Sequence, residues 1–164
     1  MNSNESIAIG LVLNEASCID EWQWTNWSDL YADDAVIWAP TWLDETTLSD
    51  DPLQHVAHFY LVGKPAIEDR VWRIQSGLSP FSTPLPRTLH QVTNFRVQEV
   101  AGNSKKIKVL SNWVVFTYRQ QKTHILYGRY EHLVDCSGNQ PKIASKKIVL
   151  LNDYVDIPFD LNNV

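Results

Sequence analysis

The chain has 164 residues, of which 44% are hydrophobic and 20% charged, and its formal net charge is −5. This length suits one domain that buries a core without disulfides or a structural metal. The acidic balance and the lack of a long basic run argue against nucleic-acid binding, and no apolar run approaches the roughly 20 residues that span a bilayer.

The first third of the chain predicts two helices. Apolar residues recur at helical spacing in the first of them, at Ile7, Leu11, Leu13 and Ala16. Asp20 is a candidate N-cap for a second helix, which runs to Tyr31 and is broken by the Asp33-Asp34 pair.

A short apolar run from Ala35 to Trp38, closed by Pro40, predicts a strand. Residues 41–65 then form a long excursion with an acidic stretch over residues 44–51. Inside this excursion, His55 to Val62 has the composition of a second strand.

A third helix is predicted from Ala66 to Gln75, because Pro65 suits a first helical turn and Gly77 suits a stop. Three prolines punctuate the loop after it, at Pro80, Pro84 and Pro86. The loop therefore separates a helical first half from a second half of different character.

The second half predicts a meander of long antiparallel strands. Four β-rich runs are separated by short connections with turn residues: Arg87 to Val100, Ile107 to Tyr118, His124 to Cys136, and Ile143 to Leu151. Helices followed by a meander indicate an α+β fold, with the N-terminal helices packed on one face of a curved antiparallel sheet. One domain over residues 1–164 accounts for the whole chain.

Seven tryptophans are many for this length. Trp22, Trp24 and Trp27 crowd one segment and cannot all face one core, since a helix turns about 100° per residue. At least one of them is therefore predicted to be exposed or to lie at a subunit contact. Three further tryptophans are predicted core residues: Trp38, Trp72 and Trp113.

The densest basic clusters are interpreted as solvated strand or turn faces, since both lie beside apolar residues. They are Lys105, Lys106 and Lys108, and Lys146 with Lys147. The cysteines Cys18 and Cys136 are isolated, and the polar N-terminus does not resemble a signal peptide. We therefore expect a reduced, cytoplasmic chain.

No metal site is predicted in this chain. His55 and His58 are three positions apart, which places them on opposite faces of the predicted strand. A Rieske cluster needs two Cys and two His in paired motifs, which Cys18 and Cys136 cannot supply. A set of two His and one carboxylate for mononuclear iron is not recognisable either.

An acid–base site remains an open alternative. Asp69 on the third helix, His90 on the first long strand and Tyr60 have the side chains for such a site inside a conical fold. The competing interpretation of Asp69 is an i, i+4 ion pair with Arg73 on the helix surface.

Several segments resemble the small (beta) subunit of aromatic-ring-hydroxylating dioxygenases. They are Asp34 to Pro40, Ile67 to Ile74 (IEDRVWRI), Pro86 to Asn94 (PRTLHQVTN), Gly128 to Glu131, and Lys146 to Tyr154. The resemblance is collinear over residues 7–164. It is strongest to the benzoate, toluate and anthranilate dioxygenase group.

The resemblance implies a cone-shaped fold like those of nuclear transport factor 2 and scytalone dehydratase. It also implies a non-catalytic subunit of a terminal oxygenase, which adds both atoms of O₂ to an aromatic ring as a cis-dihydrodiol. The Rieske 2Fe–2S cluster and the mononuclear Fe(II) are expected in a large (alpha) subunit, commonly as three large and three small subunits. No cofactor is expected in this chain.

We predict that six polar residues tie the third helix and the proline-rich loop to the sheet, or line a subunit interface. They are Asp69, Arg70, Arg73, Arg87, His90 and Asn94. The alternative is that several of them are exposed charges.

The leading hypothesis is thus a structural and assembly subunit of a dioxygenase. Two alternatives stay open at this point. One is a stand-alone dehydratase, isomerase or cyclase of the same fold that uses a His–Asp pair. The other is a small-ligand-binding or protein-interaction module of that fold.

Overall fold

The computed structural model of the chain describes residues 3–80, 82–155 and 157–164. Three helices lie in the first half: α1 (Ser3–Asp20), α2 (Trp24–Asp29) and α3 (Lys64–Gln75). Six strands form the sheet: β1 (Tyr31–Pro40), β2 (Ala57–Val62), β3 (Arg87–Val100), β4 (Asn103–Arg119), β5 (Lys122–Asp135) and β6 (Lys142–Leu150). A short 3₁₀ turn, Leu161–Asn163, closes the chain.

The strands form one sheet in the order β2-β1-β6-β5-β4-β3. The predicted antiparallel meander is confirmed for β3 to β6. The sheet as a whole is mixed, because β1 pairs with β6 in parallel while β2 pairs with β1 antiparallel. Strands β1 and β6 are separated along the chain by all the other strands and α3. This long connection allows the two strands to run parallel, which a tight turn would not.

The sheet has two unlike faces. Along β4, alternate residues from Ile107 to Thr117 are buried, and their neighbours from Lys108 to Tyr118 are partly or fully exposed. The buried set faces the side on which α1 contacts β3 and β4. We call this side the inner face and the opposite side the outer face. This alternation is the period of two that a half-covered sheet requires.

A tight curl of the sheet is visible at Gly128 in β5. A Cβ atom added there would lie 1.9 Å from the backbone oxygen of Val149 in β6. Only glycine allows the two strands to approach this closely. The curl lets the sheet wrap around α1 and confirms the predicted α+β fold.

Two boundary predictions were wrong. Asp20 does not cap α2 but is the last residue of α1, and the N-cap position of α2 is taken by Gln23, whose side chain makes no capping hydrogen bond. Asp33 and Asp34 do not break a helix but lie inside β1 and point to solvent. They are tolerated because the pairing of β1 with β6 shifts its register between Tyr31 and Val36.

The buried stripe of α1 is also displaced from the predicted one. Ile7 and Leu13 are 42% and 43% exposed. The buried residues are Ala8, Leu11, Val12, Glu15, Ala16, Cys18 and Ile19. None of the described helices is long and apolar enough to cross a membrane.

Candidate functional site

A cluster of ionisable side chains is buried between α1 and the inner face of the sheet. Its centre is the carboxylate of Glu15, which lies 2.7 and 3.0 Å from Nζ of Lys146. The indole Nε1 of Trp27 and the hydroxyl of Tyr31 donate to Glu15 Oε1 over 3.0 and 2.8 Å. Nε2 of His132 lies 3.5 Å from Oε2. Both carboxylate oxygens therefore have partners, as a charge in the core requires.

Aromatic rings close the cluster on the sheet side. The ring of Tyr130 stacks on that of Trp113 with centroids 5.0 Å apart. Nζ of Lys146 lies 4.3 Å from the centroid of the Tyr130 ring. The ammonium of Lys146 is thus held by a carboxylate and by the negative face of a ring.

The electrostatics of the cluster follow from burial and from the ion pair. Burial alone would raise the pKa of Glu15, but the charge of Lys146 and the contact with His132 outweigh it and hold the pKa far below its usual value. Burial lowers the pKa of His132 and raises that of Tyr31 well above its usual value. Burial also lowers the pKa of Lys146, while the attraction of Glu15 opposes this shift and favours the ammonium form.

This cluster was not predicted, and the interpretation of Lys146 as a solvated residue was wrong. The signal for it was in the sequence: Glu15 falls on the apolar stripe of α1 with Leu11 and Ile19. Lys146 likewise alternates in phase with Ile148 along β6. A charged residue at a core position on each of two elements indicates a buried ion pair.

A second polar cluster joins the end of α1 to β3. Oδ1 of Asp20 lies 2.6 Å from Nδ1 of His90 and accepts from Oγ1 of Thr88 over 2.8 Å. The backbone N–H of His90 donates to Oδ2 over 2.8 Å. The carboxylate thus pins the C-terminal end of α1 to the inner face of the sheet.

This geometry contradicts the predicted convergence of His90, Asp69 and Tyr60. His90 pairs with Asp20, and its side chain is only 1% exposed. Asp69 is exposed on α3, while Tyr60 is opposite Trp38 on the outer face of β2. The inner and outer faces of one sheet cannot contribute to one acid–base site.

The six residues predicted as a polar network occupy separate places. On α3, Asp69 and Arg73 are exposed, and Arg70 lies 3.5 Å from Oδ1 of Asp160 near the C-terminus. On β3, the guanidinium of Arg87 lies 4.7 Å from the centroid of the Tyr118 ring. His90 binds Asp20, and Asn94 has φ +55° where the pairing of β3 with β4 is irregular. A role of these residues in a subunit interface stays a prediction.

The structure agrees with some of the tryptophan predictions and contradicts another. Trp22 is 47% exposed while Trp24 and Trp27 are buried, which agrees with the prediction that the three cannot share one core. Trp113 is buried as predicted, but Trp72 is 65% exposed, so its assignment to the core was wrong. Helix α3 buries only Ile67, Val71 and Ile74, a stripe that leaves position 72 outside.

Metal ligation finds no support in the described ranges 3–80, 82–155 and 157–164. No group of three His, Cys, Asp or Glu side chains there is arranged to hold an ion. Nδ1 of His55 lies 3.2 Å from Oγ of Ser49, and His58 packs against Phe159 with ring centroids 5.1 Å apart. The side chains present do not fit a Rieske cluster or a mononuclear iron site.

Comparisons with known proteins agree with each other. The family described as Ring hydroxylating beta subunit matches residues 14–157. Benzoate 1,2-dioxygenase subunit beta of Acinetobacter baylyi is 33% identical over 151 residues, 92% of this chain and 88% of the relative. Toluate 1,2-dioxygenase subunit beta of Pseudomonas putida is 33% identical over 92% of this chain and 91% of its own.

Solved structures give the same result. The beta subunit of benzoate 1,2-dioxygenase from Burkholderia mallei superposes with a TM-score of 0.79 at 30% identity, over 96% of this chain and 95% of that one. A scytalone dehydratase-like protein from Novosphingobium aromaticivorans gives a TM-score of 0.66 at 17% identity, over 97% and 93%. The latter likeness concerns the fold alone and confirms the predicted fold class.

Proposed function

The chain belongs to the ring-hydroxylating beta subunit family, and from that premise we propose that it is the small subunit of a terminal oxygenase that dihydroxylates an aromatic carboxylate. The similar proteins are named for benzoate and toluate, which supports this substrate class. In this role the chain has no catalytic site of its own. It stabilises the assembly and supports the subunit that binds the substrate.

One observation favours a structural role over a catalytic one. A catalytic site on the inner face would need room for a substrate between α1 and the sheet. Here that space is taken by Glu15, Lys146, His132, Tyr31 and Tyr130, each at most 2% exposed. The ion pair of Glu15 and Lys146 and the aromatic packing around it support the fold, and these side chains leave no room for a ligand where they lie.

The alternative of a stand-alone dehydratase or isomerase is less well supported. Its proposed His–Asp pair would consist of His90 and Asp69, but the imidazole of His90 is paired with Asp20 and its side chain is 1% exposed.

The rest of the proposal concerns the partner. We place the Rieske cluster and the mononuclear iron in a large subunit, in an assembly of three large and three small subunits. The described cysteines Cys18 and Cys136 are both free, which supports a reducing, cytoplasmic location. One continuous six-stranded sheet supports treating residues 1–164 as one domain.

Co-expression with a Rieske-type large subunit tests the proposal. The complex and the 18.8 kDa chain alone would be sized by chromatography with light scattering. We expect both subunits to elute together in equal molar amounts. Separate elution at micromolar concentration would contradict the proposal. Dehydratase or isomerase turnover by the chain alone, abolished in His90→Ala, would favour the alternative.

A further inference from the structure

The outer face of the sheet carries a cleft with three cationic side chains. It has a volume of about 290 Å³ and lies between Leu48 and the middle of the sheet. Arg96, Arg129 and Lys147 line it on β3, β5 and β6. The register aligns them on one face, since Arg96 is opposite Leu110, Leu110 opposite Glu131, and Glu131 opposite Lys147.

The positive charge of this cationic cleft is not neutralised locally. The acidic residue among those that line it is Glu131, whose carboxylate is bound by Lys108 at 2.8 Å. In the described part of the chain no ion pair engages Arg96 or Arg129. The ammonium of Lys147 lies 4.5 Å from the centroid of the Trp38 ring, which holds it without cancelling its charge. An unpaired cationic region on a chain of net charge −5 is suited to an acidic partner surface.

An acidic surface lies on the neighbouring segment of the chain, residues 42–45, which precede Leu48 of the cationic cleft. Asp44, Glu45 and Asp153 line a second cleft of about 400 Å³, together with exposed Leu43 and Leu151. We call this the acidic cleft. Carboxylates beside exposed leucines resemble the composition of a subunit contact, with an apolar centre and a charged rim.

A hairpin over residues 42–48 contributes to both clefts. Its strands pair between Trp42 and Leu48, and the indole of Trp42 donates to the backbone oxygen of Leu150 over 2.7 Å. At the tip, Oδ1 of Asp44 accepts from the backbone N–H groups of Thr46 and Thr47, each over 2.8 Å. The tip residues 43–47 are exposed. The hairpin thus contributes Leu48 to the cationic cleft and residues 42–45 to the acidic cleft.

We propose that the cationic cleft of one small subunit binds the acidic cleft of a second copy of the same chain. The two surfaces differ, so the contact is head-to-tail, and a head-to-tail contact closes into a ring when its rotation allows. Because both clefts include residues of one hairpin, that hairpin would contact both neighbours in such a ring. The inference rests on the proposed assembly and identifies the surfaces through which its small subunits meet.

Charge-reversal substitutions in the isolated small subunit test this contact in the absence of the large subunit. Arg129→Glu and Asp153→Lys should each weaken self-association by roughly tenfold or more, because each places like charges against each other. The double variant R129E/D153K restores opposite charges and should recover most of the loss. Lys105→Glu is the matched control, since Lys105 is exposed at the start of β4 outside both clefts and should change nothing.

Sedimentation measurements at low and high salt give the readout, with thermal unfolding to verify that each variant folds. Three outcomes would overturn the inference: a monomeric wild-type chain at tens of micromolar, single reversals that self-associate normally, or a double variant no better than either single one. All three are distinct from failure of the proposed function, which is measured by co-elution with the large subunit.

Discussion

Removal of the ammonium group at position 146 is the sharpest test of the buried cluster. Lys146→Met keeps an unbranched apolar side chain in the same space and leaves the carboxylate of Glu15 without its cation. Both side chains are about 1% exposed, so water cannot replace the lost partner. Glu15 keeps the hydrogen bonds from Trp27 and Tyr31 but must either remain charged in the core or take up a proton.

The expected cost is large for a single substitution. Breaking a buried ion pair by removing one partner typically destabilises a protein by about 3–5 kcal/mol. In a domain of this size, each kcal/mol lowers the melting temperature by about 2–4 °C, so the expected decrease is about 6–20 °C. A second substitution that removes the stranded charge, Glu15→Gln, should restore part of this loss when combined with Lys146→Met.

Urea unfolding of the purified chain at pH 7 measures these differences, and the neighbouring lysine provides the control. Lys147 lies on the outer face of the same strand, where its ammonium packs over Trp38, so Lys147→Met should cost less than about 1 kcal/mol. The reasoning would be refuted if Lys146→Met cost no more than Lys147→Met, or if Glu15→Gln worsened it additively.

Three further predictions concern the rest of the fold. Because the pKa of Glu15 in the folded chain lies below its ordinary value of 4.5, the free energy of unfolding should decrease as pH falls through and below that value. When this free energy is measured as a function of pH, Glu15→Gln should show a shallower decrease. Asp20→Ala should cost roughly 1–3 kcal/mol, because the half-buried carboxylate binds both the backbone and the ring of His90, and hydrogen exchange should locate the loosening at the α1–β3 contact. Gly128→Ala should sharply reduce folded yield, since its Cβ would lie 1.9 Å from a backbone oxygen, whereas Gly10→Ala in α1, with open space around its Cβ, should be neutral or stabilising in thermal unfolding.

Local patterns predicted the elements well because their causes are local. The four long strands were predicted from β-rich runs and short turns, and the observed β3 has the predicted bounds, Arg87 and Val100. The third helix was placed within two residues by Pro65 and Gly77. By contrast, the parallel pairing of β1 with β6 joins distant segments, and no nearby residue specifies it.

The polar clusters were harder to predict because their members are far apart in sequence. Glu15 and Lys146 are 131 positions apart, and Asp20 and His90 are 70 apart. Asp20 was assigned a local capping role because capping is the commonest use of aspartate near a helix start. In the folded chain a backbone N–H and two side chains of β3 compete for the same carboxylate and bind it.

The most direct test of the account is the distribution of iron between the subunits. The purified complex and the isolated chain would be analysed for iron and for turnover of an aromatic carboxylate in the presence of a reductase. The account predicts about three iron atoms per large subunit, from one two-iron cluster and one mononuclear site, with no stoichiometric iron in the isolated chain. Tightly bound stoichiometric iron in that chain, or oxygenation by it alone, would contradict the account.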